Sequence, residues 1–412
     1  MISEITLENF LSFNEKQTIQ LTDEHNNPLK VFTLIGNNSS GKTNILKAIA
    51  YVKNIAVNSF KFKPEEIFLL KNNKFNSNKI STIEIKFLIN NKKYTYKIQI
   101  DYILKYECLH IDNELIFEIT SEVNDERSFI DSIVNNKGEK FGVKAKIYRN
   151  KKYIKIINKY KEFLKPNASL ISTVKNLNGD YFNEIYNYFN TLIIYDNTTS
   201  QHNNLFRNSD FMDFISSQRY KEKVLNILQV VDSDISEIIP ITKKVENKSY
   251  FVSLDDESKP VTNNKTSEIQ EIIFKKDGVE FTFQEQSHGV LKLMQIIHNL
   301  LPILENGGVL VVDEIENGLH PKIYKKLLAM FNNNENSCQL IFTTHNLLFL
   351  DQMQKDEICI VNKIDHSSQI QSLKHFYKAK SSYHNFLREY MNGTYDIAST
   401  EPKEPDTSWL ND

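Results

Sequence analysis

Hydrophobic and polar residues alternate through much of the first 120 positions. Alternation is the period of a half-buried strand, and it runs through 2–22, 83–89 and 94–100. We predict a hairpin of two short strands in 2–22 and a second strand pair joined at Asn90–Asn91. Two more apolar runs follow before residue 120. An antiparallel meander is therefore expected in this region.

Elsewhere the apolar residues form continuous runs and then recur at helical spacing. Val31–Ile35 predicts a buried strand, and the apolar positions from Ile45 to Ile55 predict a helix after a glycine-containing turn. The C-terminal part repeats this order. Its patterns predict helices over 289–304 and 322–331 and strands over 308–312, 339–343 and 358–361.

The middle of the chain has a different character. Residues 137–165 contain eleven Lys or Arg and two Glu, a local charge of 11 − 2 = +9, with tyrosines interleaved. Aromatic and basic residues together suit single-stranded nucleic acid, although a solvated face of a Lys-rich protein is the alternative. Residues 180–235 are expected to be mainly helical, with a strand at 192–195. We therefore predict three segments, at 1–150, 151–240 and 241–412.

The composition of the chain indicates the cellular compartment of the protein. The chain has 412 residues and a net charge of −2, so no global charge favours nucleic acid or a membrane. Its three cysteines are widely separated, which argues against a disulfide framework or a zinc site. The first residues do not resemble a signal peptide, and no apolar run reaches membrane-helix length. These features predict a cytoplasmic protein.

The turn between the predicted strand at 31–35 and the following helix fits the pattern GxxxxGK[ST]. Such a loop wraps phosphates with backbone N–H groups, its Lys neutralises the outer phosphates, and its hydroxyl residue binds Mg²⁺. A chance match in a polar turn is the alternative, but the strand before and the helix after fit the motif. We assign ATP to Gly36, Asn37, Asn38, Ser39, Ser40, Gly41, Lys42, Thr43 and Asn44, and Mg²⁺ in part to Thr43.

A second motif ends the apolar run at 308–312. Asp313 and Glu314 follow it directly, and ligands bind at the carboxyl ends of strands in open α/β sheets. We assign Asp313 to Mg²⁺ and Glu314 to the general base that activates the attacking water. A solvated acidic pair at a strand end is the alternative when the motif is taken alone.

Two further motifs extend the pattern. The predicted strand at 339–343 leads to His345, which we assign as a catalytic residue able to contact a γ-phosphate. Ser287 and Gly289 precede a long amphipathic helix, where a hydroxyl and backbone N–H groups can bind an anion. An ordinary N-cap serine is the alternative reading of Ser287.

The order of these motifs resembles that of ABC-type ATPases. The opening NFLSF at 9–13, the DEIENGLHP at 313–321 and the closing YMNGTY at 390–395 resemble the RecF/SMC/OLD branch. Together they resemble AAA-family ATPases of bacterial anti-phage systems, of the RloA/AbiLi type, and the ATPase subunits of Septu and PARIS. Ser287 and Gly289 resemble part of the signature motif of these ATPases. The chain departs from the usual residues at Leu11 in the opening motif, at Gln286 and Val290 in the signature motif, and at Asp396 after the closing motif.

The resemblance implies an α/β fold: an ABC-type ATPase head, a P-loop NTPase, with an antiparallel β-subdomain and a mainly helical insertion. It implies an ATP-sandwiched homodimer in which Ser287 and Gly289 act in trans and Asn317 and His320 form the D-loop. Residues after His345 are too few for a nuclease domain of the OLD kind. We therefore expect a switch that controls a separate effector, such as a nuclease or toxin.

Two other functions stay open at this point. A RecF-like DNA-repair ATPase would bind DNA in an ATP-dependent way. The nucleotide-binding subunit of a transporter is the second, although the departures in the signature and the large insertion count against it.

Overall fold

The computed structural model describes residues 1–62, 79–101, 103–122, 142–146, 151–165, 167–195, 209–251, 261–316, 321–333, 335–347, 350, 353–376 and 386–395. The chain divides into two compact units. Unit 1 comprises Met1–Tyr195, Asn306–Ile315 and Leu328–Asp412, and unit 2 comprises Asp196–Glu305 and Glu316–Leu327. No helix of the described residues is long and apolar enough to span a membrane.

The strands, in chain order, are β1 (Ile2–Glu8), β2 (Gln17–Gln20), β3 (Val31–Ile35), β4 (Ser81–Ile89), β5 (Lys92–Ile100), β6 (Leu104–Ile111), β7 (Glu114–Glu122), β8 (Gly142–Lys146), β9 (Ile193–Tyr195), β10 (Ile235–Phe251), β11 (Val261–Lys276), β12 (Val279–Thr282), β13 (Gly308–Val312), β14 (Cys338–Thr343), β15 (Ile358–Ile364) and β16 (Ser367–Ser372).

The α-helices are α1 (Lys42–Asn58), α2 (Lys151–Tyr160), α3 (Leu170–Asn176), α4 (Asn183–Thr191), α5 (Ser209–Ser216), α6 (Gln218–Leu228), α7 (His288–Asn306), α8 (Pro321–Asn332) and α9 (Phe386–Met391). Short 3₁₀ helices occupy Ser59–Lys61, Lys161–Phe163, Phe283–Glu285, Lys355–Glu357 and Leu373–Phe376.

The predicted antiparallel meander forms a seven-stranded sheet in unit 1, with the order β2-β1-β4-β5-β6-β7-β8. Asn90 and Asn91 make the turn between β4 and β5 with φ of 48° and 63°. Both residues therefore have the left-handed conformation of a type I′ hairpin turn, which asparagine tolerates better than most residues. The hairpin of β1 and β2 is also confirmed.

The predicted α/β part forms a six-stranded sheet in unit 1, with the order β16-β15-β3-β14-β13-β9. Neighbouring strands from β15 to β9 are parallel, and β16 is an antiparallel edge strand. All five residues of β3 are buried, as expected for a central parallel strand. Parallel pairing brings the carboxyl ends of β3, β13 and β14 to the same edge of the sheet.

An aromatic layer joins the seven-stranded sheet to the helices that follow it in unit 1. Phe87 of β4 stacks on Tyr188 of α4 with ring centroids 4.4 Å apart, and Ile157 of α2 is fully buried in the same core. The predicted helical insertion of 151–240 is therefore divided: α2, α3 and α4 belong to unit 1, while α5 and α6 belong to unit 2.

Unit 2 contains a long antiparallel hairpin that the sequence patterns did not predict. β10 and β11 pair from Ile235–Lys276 to Phe251–Val261, and β12 adds a short third strand. Helices α5, α6 and α7 lie in the same unit, where Arg219 and Lys223 both pair with Glu305. The predicted helix at 289–304 is confirmed as the longer α7.

Candidate nucleotide site

The loop between β3 and α1 has a backbone that ordinary residues adopt only with strain. The φ angles are 144° at Gly36, 61° at Ser39 and 114° at Gly41. A Cβ on Gly36 would lie 2.1 Å from the carbonyl oxygen of Val361. Glycine is therefore required at this position by space as well as by conformation.

Lys42 is the first residue of α1, and its side chain turns back over the loop. Its ammonium donates to the carbonyl oxygens of Gly36, at 2.9 Å, and Asn37, at 3.0 Å. Asn37, Asn38 and Ser39 are exposed, whereas Ser40 and Lys42 are buried. The charge of Lys42 is thus held against the loop, where the motif places phosphate groups.

Asp313 lies just beyond β13 and is held between two threonine hydroxyls. Thr43 Oγ1 lies 3.0 Å from Asp313 Oδ2, and Thr343 Oγ1 donates to Asp313 Oδ1 at 2.6 Å. The carboxylate is only 5% exposed. Both Thr43 and Asp313 were assigned to Mg²⁺ from the sequence, and the structure brings the two side chains into direct contact.

These oxygens fit Mg²⁺, which binds through few protein ligands and keeps water and phosphate oxygens as the others. The described residues contain no group of three or more His, Cys, Asp or Glu placed to hold a metal by themselves. A protein-only metal cage is not needed for Mg²⁺ in nucleotide sites, because the phosphates complete the coordination.

Glu314 has a left-handed backbone, with φ of 46°. Its N–H donates to Thr343 Oγ1 at 2.7 Å, and the N–H of Ile315 donates to the carbonyl oxygen of Thr343 at 3.1 Å. Such a conformation costs about 1–3 kcal/mol in a non-glycine residue and is typical of functional sites. Thr343 therefore fixes both acidic residues of the motif.

The structure also brings Glu314 and His345 together. His345 Nε2 lies 3.9 Å from Glu314 Oε1, and the two side chains are 35% and 41% exposed. Glu314, the assigned base, and His345, the assigned γ-phosphate contact, therefore lie next to each other and partly exposed after the ends of β13 and β14. Both side chains can meet a ligand without a rearrangement of the core.

The remaining assigned residues belong to unit 2, to α1 or to the segments outside the described residues. Ser287 is exposed at the start of α7 in unit 2, where its carbonyl oxygen accepts from the N–H of Leu291 at 3.1 Å, and Gly289 follows in the first turn. Asn317 and His320, the predicted D-loop, fall outside the described residues. The amide of Asn44 donates to Ser12 Oγ at 2.8 Å.

Sequence reasoning missed three residues that contact this site: Thr343, Ser12 and Ser368. Thr343 could have been found, because it ends a predicted strand beside the acidic motif. Ser12 lies in the NFLSF segment, where the resemblance drew attention to other positions. Ser368 lies on β16, a strand with one strongly apolar residue, Ile370, and no sequence signal marks it.

A P-loop at the end of β3 and an acidic pair at the end of β13 define the class of the fold. The chain is an α/β P-loop ATPase head, as the sequence predicts.

Comparison with known proteins specifies the family. The family model described as "AAA domain, putative AbiEii toxin, Type IV TA system" matches residues 31–351, more than half of the chain. The chain belongs to this family. The match confirms the predicted resemblance to AAA-type ATPases of defence-associated families.

Among curated proteins, the chain is similar to "Retron Vc95 probable ATPase" of Vibrio cholerae serotype O1 biovar El Tor. The two are 23% identical over 209 residues, which cover 40% of this chain and 41% of the relative. The chain thus matches less than half the length of that protein.

Among solved structures, the SMC head domain from Thermotoga maritima aligns with a TM-score of 0.45 and 13% identity, over 90% of this chain and 98% of that one. An SMC head bound to the C-terminal winged-helix domain of ScpA aligns with a TM-score of 0.47 and 14% identity, over 90% and 96%. These scores add nothing to the family assignment.

Proposed function

We propose that this protein binds ATP with Mg²⁺ and hydrolyses it as a slow molecular switch. The observation that carries the proposal is the contact of Thr43 with Asp313, beside the Glu314–His345 pair. A P-loop hydroxyl and a carboxylate at the end of another strand of the same sheet are the protein ligands that a nucleotide-bound Mg²⁺ uses. Family membership supports the same activity.

Each residue has a distinct proposed role. Lys42 neutralises charge on the outer phosphates, and Thr43 with Asp313 holds the ion. Glu314 accepts a proton from water, and His345 contacts the γ-phosphate and orients Glu314. When bound, Mg²⁺ offsets negative charge on the phosphate oxygens. Thr343 holds Asp313 and Glu314 in position through two hydrogen bonds, one to the carboxylate of Asp313 and one from the N–H of Glu314.

We further propose that ATP joins two copies of the chain, with Ser287 and Gly289 of one copy acting on the nucleotide of the other. The exposure of Ser287 at the start of α7 supports this role, because a second molecule can reach it. A helix N-terminus also favours a phosphate group.

The proposed biological role is the control of a separate effector, a nuclease or toxin, in cytoplasmic anti-phage defence. The family description, which includes a toxin of a toxin–antitoxin system, and the retron ATPase relative support this proposal. The three buried, unpaired cysteines suit a reducing compartment. Affinity purification of Glu314→Gln protein with its genomic neighbours, in ATP and Mg²⁺, should recover a stoichiometric effector.

The dimer can be tested separately by light scattering. Glu314→Gln protein should double its mass when ATP and Mg²⁺ are added, because the unhydrolysed nucleotide remains between the two copies. Adding Ser287→Arg should prevent the doubling by steric and charge effects at the signature. Gln284→Arg, at another exposed position before α7, is the matched control and should still dimerise. A mass that ATP never changes would contradict the dimer.

A RecF-like, DNA-dependent ATPase is the second candidate, and the surface of α2 favours it. Lys155 and Lys159 are exposed on this helix, and Lys161 follows it in the 3₁₀ turn. Of the predicted basic stretch, 137–141 and 147–150 fall outside the described residues. If this surface binds nucleic acid, affinity must fall steeply with salt. Strong stimulation of ATP turnover by DNA, with that salt dependence, would favour this candidate over effector control.

A further inference from the structure

A line of hydrogen bonds reaches the P-loop from two serines that lie far from it in the sequence. Asn44 Nδ2 donates to Ser12 Oγ at 2.8 Å, and Ser12 Oγ lies 2.6 Å from Ser368 Oγ. Ser368 Oγ in turn donates to the carbonyl oxygen of Ser40. We name this line, formed by Asn44, Ser12, Ser368 and the Ser40 carbonyl, the serine clasp.

The hydroxyl of Ser12 is the acceptor in the middle of the serine clasp. Ser368 Oγ donates toward both Ser12 Oγ and the carbonyl oxygen of Ser40. Because a hydroxyl has one proton, Ser368 shares it between these two acceptors. Ser12 Oγ also accepts from the amide of Asn44. Loss of the Ser12 hydroxyl therefore removes contacts on both sides of it.

The turn that presents Ser12 is closed by backbone hydrogen bonds and anchored by buried side chains. Phe10 and Phe13 exchange two backbone hydrogen bonds of 3.0 and 2.9 Å, and their side chains are 1% and 0% exposed. Leu11 between them has a left-handed φ of 50°, which is unfavourable for leucine. Two buried phenylalanines thus hold a strained turn in place, and strain kept by the surrounding structure is typical of functional segments.

The serine clasp also packs against Gly41, the glycine that precedes α1. A Cβ on Gly41 would lie 2.3 Å from Ser368 Oγ and 2.7 Å from Ser12 Oγ. The N–H of Ser368 donates to the carbonyl oxygen of Ser12 at 2.7 Å, which ties β16 to the turn. The conformation of the P-loop at Ser40 and Gly41 is therefore fixed by two distant segments rather than by its own sequence alone.

We propose that Ser12 and Ser368 are positioning residues of the nucleotide site, which hold the P-loop in its phosphate-binding shape before the nucleotide arrives. This inference rests on the proposed ATP-binding function. A loop that is already ordered loses less conformational entropy on binding. Loss of the serine clasp should therefore weaken nucleotide affinity more than it slows the chemical step, which depends on Glu314.

The test is the dissociation constant for a fluorescent ATP analogue with Mg²⁺, with kcat and KM measured on the same proteins. Ser12 is half-buried, so Ser12→Ala and Ser12→Thr are both expected to fold. Ser12→Ala should raise the dissociation constant and KM at least about fivefold, because it removes two hydrogen bonds and the loss of one alone has about this effect, with kcat changed less than twofold. Ser12→Thr keeps the hydroxyl and should restore affinity. Ser368→Ala should have the larger effect.

Ser367→Ala is the matched control. Ser367 is the neighbour of Ser368 on β16, but its hydroxyl accepts from the N–H of Asn14 at 3.2 Å instead of contacting the P-loop. The Ser367→Ala variant should bind the analogue as the wild-type protein does. If the wild-type protein binds the analogue and Ser12→Ala binds it with the same affinity as Ser12→Thr, the proposed role of the serine clasp is contradicted. The proposed ATP-binding function is then unaffected. Failure of the wild-type protein to bind would overturn the ATP function itself, and the proposed role with it.

Discussion

Among the buried carboxylates of the described part of unit 1, Asp313 and Glu107 have surroundings that differ in kind. Asp313, at the edge of the six-stranded sheet, is held by the hydroxyls of Thr43 and Thr343. Glu107, in the seven-stranded sheet, accepts from the hydroxyl of Tyr96 at 2.8 Å and from the N–H of Leu170 at 2.7 Å. They are 5% and 2% exposed, so burial alone does not distinguish them.

The difference lies in what the partners can do. Thr43 is half-buried and belongs to the P-loop helix, so its hydroxyl can offer a lone pair to a cation beside Asp313. The partners of Glu107 lie inside the core, and burial raises the pKa of Glu107 to about 7, although its hydrogen bonds to Leu170, Tyr96 and Ile171 lower it. Asp313, the proposed Mg²⁺ ligand, thus has a half-buried hydroxyl of α1 beside it, whereas Glu107 joins a helix to a sheet.

The largest expected effect is at the edge of the six-stranded sheet. Glu314→Gln removes the proposed proton acceptor but keeps the shape of the side chain. ATP hydrolysis should fall at least about 100-fold, as expected for a general base, while ATP binding is retained. Glu24→Gln, at an exposed carboxylate outside the site, is the control. Hydrolysis by Glu314→Gln at the wild-type rate would remove Glu314 from the mechanism.

The second prediction concerns stability and the seven-stranded sheet. With a folded pKa of about 7 against the usual 4.5, Glu107 binds its proton more tightly in the folded state. The free energy of unfolding should therefore fall as pH rises from about 4.5 to 7, by about 3 kcal/mol in total. Chemical unfolding at a series of pH values should show this loss in the wild-type protein but not in Glu107→Gln.

Nucleotide affinity is the control for the Glu107 experiment. Glu107→Gln should bind ATP as the wild-type protein does, because no contact joins Glu107 to the described residues of the nucleotide site. Parallel stability profiles for the two proteins across this pH range would show that Glu107 does not have a raised pKa. A selective loss of ATP binding would mean that the two carboxylates are not functionally separate.

A smaller effect is expected from the residue that supports both acidic side chains. Thr343→Val keeps the volume but removes the hydrogen bonds to Asp313 and from the N–H of Glu314. We expect kcat to fall about tenfold, the cost of losing the support of ligand and base. Thr33→Val is the matched control: Thr33 is equally buried on β3, and its hydroxyl has no hydrogen-bond partner among the described residues. Equal losses in both variants would indicate a packing effect instead.

Much of unit 1 could be predicted from the sequence because its patterns are local. The alternation in β4 and β5 and the turn at Asn90–Asn91 need only neighbouring residues, and the same holds for the P-loop between β3 and α1. Thr43 and Asp313, which are 270 positions apart and in contact, were both assigned to Mg²⁺ because each belongs to a motif of nucleotide sites. The motif, rather than the spacing, carried that information.

Other features could not be predicted because their partners are distant or their sequence is ambiguous. Ser12 and Ser368 are 356 positions apart, and no motif connects them. β10 and β11 contain polar residues on both faces, as in Lys243 and Lys244, so the alternation that identified β4 is absent. The predicted division at 150 and 240 followed composition, whereas the core of unit 1 continues to Tyr195.

The central claim is that the edge of the six-stranded sheet binds ATP together with Mg²⁺. Isothermal titration calorimetry with a non-hydrolysable ATP analogue tests it directly, using wild-type protein and Lys42→Ala with and without Mg²⁺. The account predicts Mg²⁺-dependent binding to the wild-type protein and at least about 100-fold weaker binding to Lys42→Ala, which lacks the phosphate-neutralising charge. Equal binding by the two proteins, or binding indifferent to Mg²⁺, would contradict the assignment of this site.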